Sequence, residues 1–130
     1  VSPDATIYDA LAVMAEHDIG AVVVMEGERL VGIFSERDYA RKVVLKGLVS
    51  RDVKVSQLMT PNPRTVGLSN TVEEVMNLMT ENRFRHLPVV EGGRLIGIVT
   101  IGDMVKSVVS EHQRTISQLS SYIAGDLAAE

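Results

Sequence analysis

The sequence predicts an α+β fold made of two tandem copies of one small unit, and three observations carry that prediction. The stretch Gly32-Ile33-Phe34-Ser35-Glu36-Arg37-Asp38 returns 65 positions later as Gly97-Ile98-Val99-Thr100-Ile101-Gly102-Asp103. At that single offset Val1 to Val44 lies over Val66 to Val109 without a gap, and 14 of the 44 positions are identical. Within each copy the apolar residues change from helical spacing to short β-branched runs and back again. A repeat of fixed period is settled first, because every element inside one copy must then have a counterpart in the other.

In the first copy Ile7, Ala10, Leu11 and Met14 fall at i, i+3, i+4 and i+7, an apolar stripe on one face of a short helix. Thr6 with Asp9 forms its cap. The run Ala21-Val22-Val23-Val24-Met25 and the run Leu30-Val31-Gly32-Ile33-Phe34 flank Glu26-Gly27-Glu28, which predicts a β-hairpin. From Glu36 to about Lys46, Tyr39, Ala40, Val43 and Val44 recur at helical spacing and predict a second helix. The unit is therefore helix, strand, strand, helix, preceded by a short extended lead-in.

Residues 47–65 link the copies, with a helical turn over Val55-Ser56-Gln57-Leu58-Met59 that Pro61 and Pro63 close. In the second copy Thr71 and Glu74 predict a better capping box than that of the first, and Val72, Val75, Met76 and Met79 repeat the stripe. His86 to Val90 and Leu95 to Val99 predict the second hairpin, around Glu91-Gly92-Gly93. A last helix begins near Gly102 and continues, with a break, through Ile116, Leu119 and Ile123. The expected boundaries are thus 1–46 for the first unit, 47–65 for the linker, 66–110 for the second unit and 111–130 for a C-terminal helix and tail. Gly32 and Gly97 interrupt strands in both copies, which predicts a close backbone approach or a bend at each.

Composition narrows the function. With 45% hydrophobic and 23% charged residues over 130 positions, the chain has the profile of one soluble globular domain in which two roughly 60-residue copies share a core. A net charge of −4 argues against a general nucleic-acid surface, which needs clustered Lys and Arg. No apolar run approaches the roughly 20 residues of a membrane span. The absence of Cys excludes disulfides and thiolate chemistry and fits a cytoplasmic location. His17, His86 and His112 lack the spacing of a metal site, so no metal is expected. The methionines at 14, 76 and 79 lie on helix stripes and read as core. The chain opens at Val1, already inside the first copy and without a Met, so a preceding segment is expected.

Two tandem units of this order, each ending in Gly-apolar-x-Ser/Thr-x-x-Asp at a strand-to-helix junction, resemble a pair of CBS domains, the regulatory module named after cystathionine β-synthase. Leu58-Met59-Thr60 before the second unit and His86-Leu87-Pro88-Val89-Val90 in its first strand are also similar to phrases of that family. The resemblance implies units packed sheet to sheet about a pseudo-twofold axis, two clefts for adenosine-containing ligands such as AMP, ATP or NAD, and a homodimer. With no catalytic domain read in this sequence, the chain resembles the stand-alone members of that family.

The chemistry of the repeated motif fits that implication. A ribose offers two adjacent hydroxyl donors, and an ionised carboxylate at a helix start accepts both through charge-assisted bonds of about 1.5–3 kcal/mol each. Asp38 and Asp103 suit that role, while Ser35 and Thr100 stand where a hydroxyl and free N–H groups meet a ribose or phosphate oxygen. The plainer account is that Ser35 and Thr100 are helix caps and the aspartates first-turn acids. By resemblance, one ligand site combines Ile33, Ser35, Arg37 and Asp38 with Met59, Thr60, Phe84, Arg85 and His86. The other combines Ile98, Thr100 and Asp103 with Ile19, Gly20 and Ala21. This second site departs from the pattern: the counterpart of Met59-Thr60 falls before Val1, and Gly102 replaces Arg37. The Asp38 site is therefore expected to bind more tightly, helped by the basic cluster Arg83, Arg85 and His86.

The resulting expectation is a non-catalytic adenine-nucleotide sensor with no required cofactor, acting on an unidentified regulated protein, with no nucleic-acid or membrane partner. A purely structural dimerisation module is the first alternative. A nucleotide-hydrolysing enzyme is the second, and it lacks a Gly-x-x-x-x-Gly-Lys-Ser/Thr loop or paired carboxylates at metal spacing.

Overall fold

The computed structural model describes residues 1–111. The described residues divide into two compact units, one of residues 1–68 with 87–98 and the other of 69–86 with 99–111.

In the first unit α1 (Ile7–His17) starts at Thr6, whose hydroxyl accepts the Asp9 N–H while the Asp9 carboxylate accepts the Thr6 N–H, a complete reciprocal capping box. It ends at Asp18 in the left-handed region, φ 51°. Strands β1 (Ala21–Glu26) and β2 (Arg29–Ser35) pair antiparallel around Gly27, and a bulge between Val24 and Met25 leaves Val31 without an opposite residue. Ile7, Ala10 and Met14 of the predicted stripe are buried with Val22, Val24 and Phe34, and Val43 and Val55 complete this core.

The segment after β2 departs from the expected α-helix. It makes one short α-helical turn, α2 (Glu36–Asp38), and then winds as a π-helix over Tyr39–Val44, with the Leu45 N–H donating to the Ala40 carbonyl five residues back. The wider winding breaks the even stripe: Val43 is buried, whereas Ala40 and Val44 face solvent.

Residues of the stretch 47–65 lie on first-copy elements. Ile7 and Tyr8 donate backbone N–H bonds to Val53 and Ser50, Val55 donates to Ala5, and the Arg51 guanidinium stacks 4.4 Å from the Tyr8 ring centre. The expected helical turn is present as α3 (Val55–Leu58). Beyond it, β3 (Thr60–Pro61) adds an edge strand to β2, pairing Thr60 with Ile33 and Pro61 with Gly32. Pro61, which has no N–H to donate, is tolerated at such an edge.

The remaining elements repeat the first copy. Helix α4 (Val72–Asn82) buries Val75 and Met79, and Arg83 follows it at φ 57°, as Asp18 follows α1. Its cap is weaker than expected. The Thr71 hydroxyl accepts the Glu74 N–H, but the Glu74 carboxylate accepts the Asn70 amide 2.8 Å away instead of returning to the Thr71 backbone. Strands β4 (His86–Glu91) and β5 (Arg94–Thr100) form a two-stranded sheet whose turn has Gly92 and Gly93 both at positive φ. A two-residue hairpin turn of this kind strongly favours glycine. The chain is helical from 101 to 111, capped by Thr100; Ile116, Leu119 and Ile123 lie outside the described residues.

The duplication extends to individual hydrogen bonds. Val1 N to the Val23 carbonyl and Met25 N to the Val1 carbonyl recur as Val66 N to Pro88 and Val90 N to Val66. Ile19 N to Met14 recurs as Phe84 N to Met79, and Glu36 N to Gly20 as Ile101 N to Arg85. The expected extended lead-in is thus present in both copies, as Val1 and Val66.

Candidate functional site

The Ser/Thr-x-x-Asp motif sits in each copy where the second strand gives way to helix, and its side chains are organised by the backbone they cap. In the first copy the Ser35 N–H and hydroxyl both donate to Asp38 Oδ2, at 2.9 and 3.0 Å, and the Asp38 N–H donates back to Ser35 Oγ at 3.2 Å. In the second copy the Thr100 N–H donates to Asp103 Oδ2 at 2.9 Å and the Asp103 N–H to Thr100 Oγ1 at 3.0 Å. Both copies therefore realise the capping arrangement, and the two differ in exposure. Ser35 and Asp38 are half-buried, whereas Asp103 is exposed.

Several residues of the expected first site come together in the first unit. Met59 lies against buried Gly32, where a Cβ would stand 2.8 Å from Met59 Cγ. Thr60 pairs with Ile33, two residues before Ser35. Gly32 is thus the close approach that the sequence predicted. Gly97 is not: among the described residues nothing lies within 4 Å of where its Cβ would be. Arg37 is exposed and makes none of the contacts that hold this cluster.

Phe84, Arg85 and His86 lie together at the end of the α4 turn and the start of β4. Phe84 and His86 are half-buried, Arg85 is exposed, and the Arg85 carbonyl accepts the Ile101 N–H beside Thr100. In the same way Gly20 accepts the Glu36 N–H and Ala21 pairs with Ser35. Each copy's segment before its first strand thus abuts that copy's own motif. Ile19 is exposed and Ile98 half-buried in β5.

One participant was missed from the sequence. Lys42 reaches from the π-helix to Asp38 Oδ1 at 3.4 Å and donates to the Leu58 carbonyl at 3.0 Å, one residue before Met59. The i, i+4 spacing from Asp38 was the available signal. The Leu58 partner, distant in sequence, had none. Among the described residues no His, Asp and Glu cluster suits a metal ion. A groove of about 330 Å³ lined by Arg29, Leu30, Asn62, Pro63, Thr65 and Leu95 contains none of the motif residues.

A family model of the CBS domain matches residues 1–45 and 55–110, spans that contain the two copies of the repeat, the second match starting within the stretch 47–65. The chain belongs to the CBS domain family. It is 43% identical over 127 residues to the mitochondrial CBS domain-containing protein CBSX3 of Arabidopsis thaliana, covering 94% of this chain and 62% of that protein. A solved protein with CBS domains from Burkholderia ambifaria superposes with a TM-score of 0.81 at 50% identity, over 84% of this chain and 80% of that one. CBSX2, solved in complex with AMP, superposes with a TM-score of 0.73 at 31% identity, over 86% and 87%. The α+β fold of tandem CBS units expected from the sequence is the fold of these relatives. No helix among the described residues is long and apolar enough to cross a membrane.

Proposed function

We propose that this CBS pair is a non-catalytic regulatory module that binds an adenine nucleotide, AMP, ATP or NAD, and passes its occupancy to a protein partner. The observation that carries this reading is the duplicated Ser/Thr-x-x-Asp motif, which in the first unit stands beside Met59 and Thr60. The AMP complex of CBSX2 supports the ligand class. The first site comprises Ile33, Ser35, Arg37, Asp38, Met59, Thr60, Phe84, Arg85 and His86; the second comprises Ile19, Gly20, Ala21, Ile98, Thr100 and Asp103. Asp38 Oδ2 is engaged by Ser35, so a ribose approaches the Oδ1 side. A ligand that favours one arrangement of the protein shifts a population that a partner reads, by no more than its differential affinity for the two states.

Isothermal calorimetry with AMP, ATP, NAD and S-adenosylmethionine tests the proposal, with mass spectrometry of any co-purified small molecule to name the ligand. A flat titration with all four rejects it in favour of a structural dimerisation module. That second reading has its own support, since Ser35 with Asp38 and Thr100 with Asp103 already satisfy one another as caps. ATP turnover by the purified chain would reinstate an enzyme.

The reading includes a homodimer. Exposed apolar side chains at Val44, Leu45, Leu48 and Val49, with Leu45 79% exposed, support a surface covered by a second copy. A monomer mass by light scattering at all concentrations rejects it. The reading also places the protein in the cytoplasm. The plant relative is named as mitochondrial, and cell fractionation distinguishes the two locations.

A further inference from the structure

We propose that Lys42 sets the charge preference of the Asp38 site, making it select phosphate-bearing adenosine ligands over the uncharged nucleoside. The inference rests on the adenine-nucleotide reading and adds to it a residue outside the repeated motif. Lys42 is half-buried, and its ammonium stands 3.4 Å from Asp38 Oδ1 while donating to the Leu58 carbonyl 3.0 Å away. Asp38 Oδ2 is already saturated by the Ser35 N–H and hydroxyl. Lys42 therefore lies on the one open side of the carboxylate, where a ribose would approach.

Two consequences follow from that position. A lone carboxylate repels a phosphate held on the same ligand, and in a half-buried setting that repulsion is less screened than in water. The Lys42 charge offsets it. An ammonium has three donors on a flexible stem, and Asp38 and Leu58 use two, so a third remains to turn toward a phosphate oxygen. The other charged groups on this segment, Glu36, Arg37 and Arg41, are exposed and sum to a single positive charge in solvent. The second copy has Ser107 at the position equivalent to Lys42, and its nearby ammonium, Lys106 at i+3 from Asp103, is exposed. The charge preference is therefore assigned to the Asp38 site, whose lysine is half-buried against the carboxylate.

Calorimetry with AMP and with adenosine on the wild type, Lys42→Met and Lys42→Arg tests the inference, with thermal melts as a folding control. Methionine keeps an unbranched apolar stem and removes only the charge. Lys42→Met should lose about tenfold in AMP affinity, equivalent to ~1.4 kcal/mol, while adenosine affinity changes by less than about twofold. Lys42→Arg should restore most of the AMP preference, which a mere space-filling role would not require. Equal losses for AMP and adenosine in Lys42→Met would overturn the inference and leave Lys42 as a prop for the Leu58 segment. No loss for either would overturn it outright. A wild type that binds neither compound would reject the adenine-nucleotide reading itself, an outcome distinct from binding without a charge split.

Discussion

At the scale of single residues, the two copies place the same amino acid in different surroundings, and glycine shows this most directly. Gly32 faces Met59, so a methyl group there must displace the Met59 thioether from its place against β2. Met59 is flexible and can move, but its displacement changes that packing. Gly97 has open space where its Cβ would lie, and a strand glycine of ordinary φ gains from alanine by restricting the unfolded chain. Gly32→Ala is therefore expected to cost about 1–3 kcal/mol, as overpacking does, and to weaken nucleotide binding. Gly97→Ala should be neutral or stabilise by about 0.5 kcal/mol. Urea denaturation of the two variants checks this, and equal destabilisation would mean that Met59 is not what excludes a side chain at Gly32. Identity at both positions was legible in the sequence. That Gly32 is a close approach was not, because the contact is made by Met59, 27 positions away and outside the strand.

At the scale of elements, periodicity and caps located α1, both hairpins, α3 and α4, because each rests on residues within a few positions of one another. The exceptions depend on something further off or on a local competition. The π-helix after Asp38 follows a pattern that fits α-spacing equally well, and β3 is a two-residue strand set by pairing with β2. The caps show the competition: Thr71-x-x-Glu74 is the better capping-box sequence, yet Asn70 takes the glutamate, whereas Asp9 returns to Thr6. Asp9→Ala is accordingly expected to cost about 0.5–2 kcal/mol in stability, the range for a lost capping interaction. Glu74→Ala should cost less than about 0.5 kcal/mol, since its remaining contacts are an exposed amide bond and the helix dipole. Thermal melts of the pair decide it; a larger loss in Glu74→Ala would show that the reciprocal bond forms in solution.

At the scale of the whole molecule, the repeat gave the architecture, and the family match over both copies agrees with it. Ile33, Ser35, Asp38, Met59 and Thr60, which the first unit holds, were named through the resemblance to the CBS family, and Lys42 was not named. The duplication also supplies its own control for function. Asp38 and Asp103 each cap a helix start through the same pair of reciprocal bonds, worth about 1 kcal/mol, and Asp38 adds the Ser35 hydroxyl and the Lys42 ion pair, so Asp38→Ala should cost more stability than Asp103→Ala. Thermal melts of both variants separate that cost from a difference in ligand affinity. Asp38 is half-buried, with Met59, Thr60 and Lys42 gathered in its unit; Asp103 is exposed, with Ser107 in place of Lys42 and Gly102 in place of Arg37. Asp38→Ala should lose two ribose hydrogen bonds, about 2–4 kcal/mol or roughly 30- to 1,000-fold in the tighter binding event. Asp103→Ala should change that event by less than about tenfold. Titration of AMP and NAD into both variants reads the difference, and if Asp103→Ala abolishes the tighter event while Asp38→Ala leaves it intact, the exposed aspartate is the ligand's partner and burial beside Lys42 marks only a well-held cap.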